Sequence, residues 1–351
     1  MTLLLETPST TFEGGAFASR PAESRGIARD AVRLLVGSAR GVEHASFSDL
    51  PAHLEPGDVL AVNTSVTEAG EADGLLDGLP VVVHVANRLD DGSRVVELRS
   101  PPDAAEPVLD ARPGTEVAVG GARLRLVGPW PEGRPSSPTG EGNRLWTATV
   151  TGDLDRELAT RGRPIAYGYL DHRYPLSAYQ TVFGLHPGSA EMASAGRPFT
   201  PELVARLVSC GVGFAPITLH TGVSSQEAGE APGPEWFEVP AQSARTIEAA
   251  RAHGGRVVAV GTTATRAVES ASEGGRVRPT RGWTDRVVTP GNPPSVVAGL
   301  ITGWHDPQAS HLLLVEAVAG RELTQVAYDA ASHEGYLWHE FGDSALLLPA
   351  W

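Results

Sequence analysis

The sequence predicts an α/β fold whose main domain, built from both ends of the chain, carries a small antiparallel β-barrel as an insertion. Two observations lead to this prediction. In the second half of the chain, apolar runs of strand length alternate with helical segments, as in α/β proteins. Residues 71–153 instead hold short strands separated by turn residues, as in a small barrel. We therefore assign residues 1–70 and 154–351 to an α/β catalytic domain and residues 71–153 to the insertion.

The clearest single element is the stretch 256–270, RVVAVGTTATRAVES. Its apolar run, residues 257–260, is typical of an interior strand buried on both faces. Gly261 gives the backbone room to turn, and we expect Thr262 or Thr263 to cap the helix that follows. A helix that begins after a central strand directs free N–H groups above the sheet, where a carboxylate or a phosphate can bind.

The other elements are predicted from the same kinds of pattern. Before the insertion we expect a strand at 28–36, a short helix at 48–55 and a buried strand at 58–63. In the insertion the strands are LPVVVHVA, RVVELRS, TEVAVG, ARLRLVG and RLWTATV. After it we expect PELVARLVSC, VGFAPITL, SARTIEAARAH, SVVAGLI, SHLLLVEAVAG, ELTQVAYDAAS and SALLL to alternate between helix and strand.

The composition excludes several classes of function. Lys+Arg 28 against Asp+Glu 42 gives a net charge of −14, so nucleic acid can bind only through a local basic patch. Every one of these basic side chains is arginine, because the sequence holds no lysine. This excludes Schiff-base chemistry, pyridoxal-phosphate enzymes and the lysine-bearing phosphate loop.

Targeting signals and reactive thiols are not evident in the sequence. The single cysteine, Cys210, cannot form an internal disulfide, and we expect it to be a small buried apolar side chain without a catalytic role. No basic leader and no apolar run of membrane-spanning length occurs. We therefore expect a soluble, cytoplasmic protein with no membrane partner.

Common catalytic motifs do not fit the chain. The histidines of residues 333–340, HEGYLWHE, are six positions apart and would lie on different faces of a helix, so we predict no metal site there. No Gly-x-Ser-x-Gly motif occurs, and VVAVGTT lacks the glycine spacing of a dinucleotide fingerprint. Ordinary hydrolase and dehydrogenase activities are not supported.

Polar residues follow three of the predicted strands directly. They are His220 after PITL, residues 261–266 after VVAV, and His305 after VVAGLIT. Ligands of open α/β sheets usually bind beyond such strand ends, so we expect one shared pocket. A histidine at a strand end can also be a hydrogen-bonded structural residue, and Asp343, just before the last strand, can simply cap a turn.

These residues and others resemble, in the right order, the S-adenosylmethionine:tRNA ribosyltransferase-isomerase family of the queuosine pathway. The residues that carry the resemblance are Pro56-Gly57-Asp58, Asn63-Thr64, Tyr179-Gln180-Thr181, Thr218-Leu219-His220, the stretch 260–270, Leu300-Ile301-Thr302 with His305 and Pro307, Tyr336, and Gly342-Asp343. The resemblance spans nearly the whole chain. It implies a barrel-like α/β main domain with a β-barrel insertion, in agreement with the layout above.

The resemblance also implies an activity and a set of binding residues. S-adenosylmethionine is the co-substrate, no metal is needed, and the ribosyl group is transferred to 7-aminomethyl-7-deazaguanine in tRNA and isomerised to epoxyqueuosine, with release of adenine and methionine. The substrate-binding residues that we expect are Gly261, Thr262, Thr263, Arg266, Tyr179, Gln180, Thr181, Thr302 and Asp343.

The sulfonium of this co-substrate acidifies the adjacent C5′ protons of the ribose, so a single general base is sufficient to start the reaction. His305 and His220 are candidates because imidazole is neutral near pH 7, and Glu235 is a third. We expect the helix that starts at Thr262 to hold the methionine carboxylate with its amides. Arg266 either pairs with a carboxylate or orients the loop.

Several positions depart from the family pattern. The family's Ala-Ala-Pro-Thr-Ala-Gly-Leu-His-Phe-Thr is residues 191–200 here, and Pro198 replaces its histidine. The family's Gly-Thr-Phe is Ser224-Ser225-Gln226. Basic residues are replaced at Ser65, Gly70, Gln308 and Leu337.

Three functions therefore remain open. The chain either modifies tRNA through a relocated basic patch, or is a paralogue that uses S-adenosylmethionine with a small-molecule acceptor or rearranges it, or is a non-catalytic S-adenosylmethionine-binding protein. The residues of the relocated patch would be Arg161, Arg163, Arg173, Arg278, Arg281 and Arg286.

Overall fold

The computed structural model describes residues 7–132, 142–223, 231–307 and 309–349. Its strands are β1 (Arg33–Ser38), β2 (Gly41–Ser46), β3 (Val59–Asn63), β4 (Ser65–Thr67), β5 (Glu71–Leu76), β6 (Leu79–Arg88), β7 (Arg94–Arg99), β8 (Glu116–Val119), β9 (Ala122–Pro129), β10 (Leu145–Thr151), β11 (His186–Ser189), β12 (Gly213–Leu219), β13 (Glu235–Val239), β14 (Val257–Val260), β15 (Ser272–Glu273), β16 (Arg276–Val277), β17 (Thr280–Thr284), β18 (Gly299–Gly303) and β19 (Ser344–Leu348). Its α-helices are α1 (Leu154–Arg161), α2 (Pro201–Ser209), α3 (Ala241–Ala252), α4 (Thr262–Ser270), α5 (His311–Ala319) and α6 (Arg321–His333).

The main sheet has nine strands in the order β17-β13-β12-β3-β14-β18-β19-β1-β2. Its central strands β12, β3, β14 and β18 are parallel to one another. β19 is antiparallel to β18, and β1 is parallel to β19. Every residue of β3, β14 and β19 is buried, as expected for strands covered on both faces.

Two apolar cores cover the two faces of this sheet, because successive strand side chains point to opposite sides. Val257 and Ala259 belong to the core that packs against α3, α4, α5 and α6. Val258 and Val260 belong to the core on the other face, with Leu203 of α2. The molecule is thus layered around β14, which the apolar run of residues 257–260 predicted as an interior strand.

The insertion is a closed antiparallel barrel with the strand order β10-β7-β6-β5-β8-β9, in which β9 also pairs with β10. Alternating residues of its strands fill an apolar interior, for example Leu124, Leu126 and Trp146. The predicted α/β fold with an inserted β-barrel is therefore confirmed. The barrel closes by hydrogen bonding, which removes the unpaired edges of an open sheet.

A buried carboxylate, Glu71 of β5, connects the barrel with the chain that leaves it. Its Oε1 accepts hydrogen bonds from Arg163 Nε at 2.6 Å and pairs with Arg173 Nη2 at 2.8 Å. Its Oε2 lies 3.2 Å from His84 Nε2. Burial opposes ionisation of Glu71, but these partners hold its pKa at about 2.

Three local predictions were wrong in detail. The segment predicted as a strand at 28–36 begins with a 3-10 turn, Arg29–Ala31, and becomes a strand only at Arg33. The helix predicted at 48–55 is a 3-10 helix, Phe47–Ala52, because Pro51 inside it cannot donate an α-helical hydrogen bond. Cys210 is exposed rather than buried, because it lies past the last turn of α2.

No helix within the described ranges has the length and apolar character needed to cross a membrane.

Candidate active site

The ends of four neighbouring strands meet at one edge of the main sheet. β12, β3, β14 and β18 end there, while β1 and β19 begin there because they run in the opposite direction. His220, Gly261 and His305 follow β12, β14 and β18, so this edge brings the three predicted strand-end sites to the same side of the sheet.

Asn63, the last residue of β3, connects the neighbouring strand ends. Its amide Nδ2 donates to the carbonyl of Leu219 at 2.9 Å and to Thr263 Oγ1 at 3.3 Å. Its Oδ1 accepts hydrogen bonds from the backbone N–H groups of Leu219 and Ser65. Because Leu219 precedes His220 and Thr263 is in the first turn of α4, one buried side chain fixes the position of both.

His220 is held in a defined orientation and is half-buried. Its Nδ1 lies 2.7 Å from Ser65 Oγ, and its ring stacks on Trp236 with centroids 5.3 Å apart. Ser65 Oγ lies 2.6 Å from Ser189 Oγ, which accepts a hydrogen bond from the N–H of Thr221. Burial, with a smaller contribution from His186, lowers the pKa of His220 to about 4, so its imidazole is neutral near pH 7.

The predicted site residues Arg266 and Glu235 bind each other. Arg266 Nη1 donates to Glu235 Oε2 at 2.6 Å, and its remaining donors bind the carbonyls of Gly233, Thr284 and Arg286. The other oxygen of Glu235 accepts the N–H of Gly222 at 3.0 Å. Of the two roles expected for Arg266, the geometry shows loop orientation, and the carboxylate with which it pairs belongs to the protein.

His305 lies in a group of histidines and is only 8% exposed. Its Nε2 is 3.0 Å from the Oγ1 of Thr302, another residue predicted for substrate binding. In the structure Thr302 therefore contacts His305. Its ring stacks on His311 at 5.1 Å and meets the edge of His339 at 5.6 Å. Burial, supported by these two histidines, places the pKa of His305 well below its ordinary value.

The first turn of α4 is open at its amino end. Gly261 is the N-cap with φ 93°, and neither Thr262 nor Thr263 caps the helix, so that detail of the prediction was wrong. A residue at the N-cap without a side chain cannot satisfy the first amides, which keeps them available to a ligand. Ala195 covers Gly261 closely, since a Cβ built on Gly261 would be 3.2 Å from the Cβ of Ala195.

Of the predicted residues, Tyr179 ends the 3-10 helix Leu176–Tyr179 beside β4, and Gln180 and Thr181 lead into the turn that follows. Gln180 Nε2 donates to the carbonyl of Thr67 at 2.8 Å, and the carbonyl of Tyr179 accepts the hydroxyl of Thr67 at 3.0 Å. Thr181 Oγ1 accepts the N–H of Phe183 at 3.3 Å. These contacts are made with the protein itself and hold the turn in place.

Asp343 has a clear structural contact on each oxygen. Its Oδ1 accepts the N–H of Arg33 at 2.9 Å and its Oδ2 accepts the N–H of Leu337 at 2.9 Å. It thus ties the start of β1 to the segment before β19, which agrees with the turn-capping alternative left open by the sequence.

A cleft opens at this edge beside the end of β18 and the start of β19. It is lined by Arg29, Val32, Ser194, Ala195, Arg197, Pro198, Gly303, His339, Glu340, Phe341, Gly342, Asp343 and Ser344. Pro198 and Ala195 belong to the segment 191–200, which departs from the family pattern. The departure from the family pattern therefore marks this segment in the sequence, although its place over the strand ends is visible only in the structure.

Several polar residues of the site were not predicted from the sequence. Ser189, Glu191 and Glu340 lie in segments without a catalytic motif, and only the fold brings them to the edge. The sequence gives one indication of this part of the site, because position 191 is glutamate where the family pattern has alanine.

Most arginines of the predicted basic patch are paired with carboxylates. Arg163 and Arg173 bind Glu71, and Arg163 also binds Asp73. The other pairs are Arg161 with Glu157, Arg278 with Glu273, and Arg286 with Glu269. Arg281 is exposed on β17.

Two of the predicted departures, Ser224-Ser225-Gln226 and Gln308, lie outside the described residues. Within the ranges that the structure describes, no three His, Cys, Asp or Glu side chains are arranged to hold a metal ion.

Comparisons with known proteins identify the family of the chain. The family model described as "Queuosine biosynthesis protein" matches residues 12–347. The chain is 34% identical to an S-adenosylmethionine:tRNA ribosyltransferase-isomerase of Thermosynechococcus vestitus, with 92% of this chain and 90% of the relative covered. It is 35% identical to the protein of that name from Symbiobacterium thermophilum, with 94% and 96% covered. The crystal structure of S-adenosylmethionine tRNA ribosyltransferase from Thermotoga maritima matches with a TM-score of 0.51 and 26% identity over 95% of this chain and 96% of that one.

Fold, strand-end site and relatives together define an enzyme of the transferase and isomerase class. The chain belongs to the queuosine biosynthesis protein family.

Proposed function

We propose that this enzyme transfers the ribosyl group of S-adenosylmethionine to 7-aminomethyl-7-deazaguanine in tRNA and isomerises it to epoxyqueuosine, releasing adenine and methionine. The main support is that relatives named for this donor and for tRNA match nearly the whole chain. One observation in the structure favours this proposal. Asn63 hydrogen-bonds both to Leu219, which precedes the neutral His220, and to Thr263 in the first turn of α4, a helix without a side-chain cap.

We assign the methionine carboxylate to the amides at Thr262 and Thr263. These amides begin a nine-residue helix whose dipole favours an anion at this end. Arg266 supports this site by binding the carbonyls of Gly233, Thr284 and Arg286 and the carboxylate of Glu235. Glu235 is consequently a positioning residue in this proposal, because its carboxylate is already bound on both oxygens.

We assign the general base to His220 rather than to His305. Both rings are neutral near pH 7, but His305 is almost completely buried, whereas His220 is half-buried. In the tautomer that we assign, the Nδ1–H of His220 donates to Ser65 Oγ, and the Ser65 hydroxyl donates to Ser189 Oγ. That tautomer leaves the lone pair of Nε2 available to take a C5′ proton.

The test is a reaction of the purified enzyme with S-adenosylmethionine and a tRNA that carries 7-aminomethyl-7-deazaguanine, followed by mass spectrometry of the tRNA nucleosides. We expect epoxyqueuosine on the tRNA and one equivalent each of adenine and methionine, and no product on a matched tRNA with guanine at that position. Release of adenine without any change in the tRNA would contradict the proposal and indicate a different acceptor. Binding of S-adenosylmethionine without any turnover would indicate a non-catalytic binding protein.

Substitution of Ser65 tests the assignment of the base. Ser65→Ala removes the hydrogen-bond partner of His220 Nδ1. We expect loss of this hydrogen bond to raise the activation free energy by about 1.4 kcal/mol and so to lower kcat about tenfold. Ser65→Thr keeps the hydroxyl and should retain most of the activity. We expect His220→Ala to lose about 100-fold or more, as for removal of a general base. If Ser65→Ala and His220→Ala both retain the rate of the wild type, the base lies elsewhere.

A further inference from the structure

The cleft beside the end of β18 and the start of β19 contains a buried carboxyl group, one oxygen of which has no hydrogen-bond partner. Glu340 lines this cleft and is only 9% exposed. Among the described residues, no hydrogen-bond donor reaches its Oε2. A buried polar atom without a partner costs free energy, and such atoms are explained by strain, a catalytic role or a bound water or ion.

A second acidic residue and aromatic rings stand next to Glu340. Tyr167 donates its hydroxyl to Glu191 Oε1 at 2.8 Å. The ring of Tyr167 stacks on Tyr169 with centroids 5.7 Å apart and meets His339, the neighbour of Glu340, edge-on at 6.1 Å. Burial, followed by the negative charge of Glu191, raises the pKa of Glu340 well above its ordinary value.

The described basic groups near Glu340 form no ion pair with it. Burial lowers the pKa of His339 to about 4 and also lowers those of His305 and His311, so these rings are uncharged near pH 7. Arg197 favours ionisation of Glu340 through its charge but binds other groups. Its Nη2 pairs with Glu23 at 2.9 Å and its Nε donates to the carbonyl of Ala178 at 2.9 Å.

Other buried polar atoms in this region also lack a hydrogen-bond partner. Within the described part of the chain, His339 Nδ1, His305 Nδ1 and the hydroxyl of Tyr169 are also buried without a hydrogen-bond partner. Glu340 and His339 line the cleft, and buried polar atoms without a partner and aromatic π-faces lie next to them. An ammonium group supplies three donors and a positive charge, which carboxylates and aromatic faces both stabilise.

We propose that Glu340, with Glu191, Tyr167 and His339, forms a binding site for a protonated primary amine of the substrate. This inference rests on the proposed function, in which two such amines take part. One is the α-ammonium group of the methionine portion of S-adenosylmethionine, and the other is the aminomethyl group of the acceptor base. The chemistry of recognition is the same for both, and separate binding measurements distinguish them.

The experiment compares Glu340→Gln with the wild type by calorimetry and by steady-state kinetics. The titrants are S-adenosylmethionine and 5′-methylthioadenosine, which has the same nucleoside but no amino-acid portion. If the donor's amine is bound, Glu340→Gln weakens S-adenosylmethionine about tenfold or more and leaves methylthioadenosine unchanged. If the acceptor's amine is bound, the affinity for S-adenosylmethionine is unchanged and KM for the modified tRNA rises about tenfold or more.

Two further variants make the result specific. Glu191→Ala removes the neighbouring carboxylate and should weaken the same ligand as Glu340→Gln, which keeps the proposal testable if either variant folds poorly. Glu322→Gln on the exposed face of α6 removes one negative charge elsewhere and should change neither constant. Thermal unfolding verifies that each variant is folded before binding is measured.

If folded Glu340→Gln and Glu191→Ala bind S-adenosylmethionine and use the modified tRNA as the wild type does, the inference is overturned while the proposed function stands. If the wild type forms no product on tRNA but Glu340→Gln still loses its affinity for S-adenosylmethionine, the proposed function fails and the amine site stands. Loss of affinity for methylthioadenosine as well would show a general disturbance of the cleft and would overturn the inference.

Discussion

At the scale of single residues, the contacts of Arg266 explain why an arginine is buried beside the proposed ligand site. Its side chain is only 6% exposed, and its donors hold one carboxylate and three carbonyls in a fixed planar arrangement. A lysine could not satisfy these acceptors together, since it is a single point donor.

Arg266→Ala should therefore lower the free energy of unfolding by about 3–5 kcal/mol, because it leaves the partly buried Glu235 without its counter-charge. Urea unfolding at pH 7 measures this loss. Arg281→Ala on exposed β17 is the matched control and should change stability by less than about 0.5 kcal/mol. An equal, small effect of both substitutions would show that the Arg266–Glu235 pair contributes no net stability.

The depressed pKa of His220 predicts how stability depends on pH. The folded state resists protonation down to about pH 4, whereas an unfolded histidine takes up a proton near 6.5. The unfolded state therefore binds more protons between pH 6.5 and 4, so this residue removes stability as the pH falls through that range. Denaturant unfolding at several pH values should give a shallower loss for His220→Gln than for the wild type. Identical slopes would mean that His220 has an ordinary pKa in the folded protein.

At the scale of elements, the turn from β14 into α4 depends on a glycine. Gly261 has φ 93°, where other residues are strained, and a Cβ at this position would press on Ala195. Gly261→Ala should cost about 1–3 kcal/mol of stability and weaken S-adenosylmethionine binding through displacement of the first turn. Gly128→Ala in β9, where a Cβ meets nothing within 4 Å, is the control and should be close to neutral. Unfolding and calorimetry of the two variants give the comparison, and a neutral Gly261→Ala would contradict the described turn.

The strand β14 could be predicted from the sequence, whereas the cap of the helix α4 that follows it could not. Residues 257–260 are a four-residue apolar run, and burial on both faces leaves only apolar side chains there, so the interior position of β14 was predictable. The cap of α4 was not, because threonines 262 and 263 are typical capping residues, whereas in the structure Gly261 is the N-cap with φ 93° and no side chain caps the helix.

Site residues were predictable only where they follow a strand directly. His220 and His305 do so, and the sheet topology brings them to one edge. Glu340 and Glu191 are 149 positions apart in sequence, as their numbers show, and their proximity depends on the tertiary path of two loops. The roles of Tyr179, Gln180, Thr181 and Thr302 in substrate binding stay predictions, since the described contacts are with the protein itself.

At the scale of the whole molecule, charge limits how tRNA can bind. The net charge is −14, and five of the six arginines expected to form a patch contact carboxylates. The predicted patch itself therefore has little unpaired positive charge left to release counterions from phosphates, and we expect recognition to depend more on the base in the site than on this patch.

We predict a shallow dependence of tRNA affinity on salt. With about two phosphate contacts, log K should fall with log salt with a slope of about −2 or shallower. Fluorescence anisotropy of labelled tRNA between low and physiological salt measures this slope. A slope as steep as about −5 would contradict this prediction and would require a basic surface other than the predicted patch.

The central claim is that S-adenosylmethionine binds over the strand ends, with its methionine carboxylate at the start of α4 and its ribose near His220. A crystal structure of the enzyme with S-adenosylmethionine tests this most directly. The account predicts the carboxylate within hydrogen-bond distance of the amides at Thr262 and Thr263, and the C5′ atom next to His220 Nε2. A nucleoside bound in the barrel, or at the sheet edge with its carboxylate directed away from α4, would contradict it.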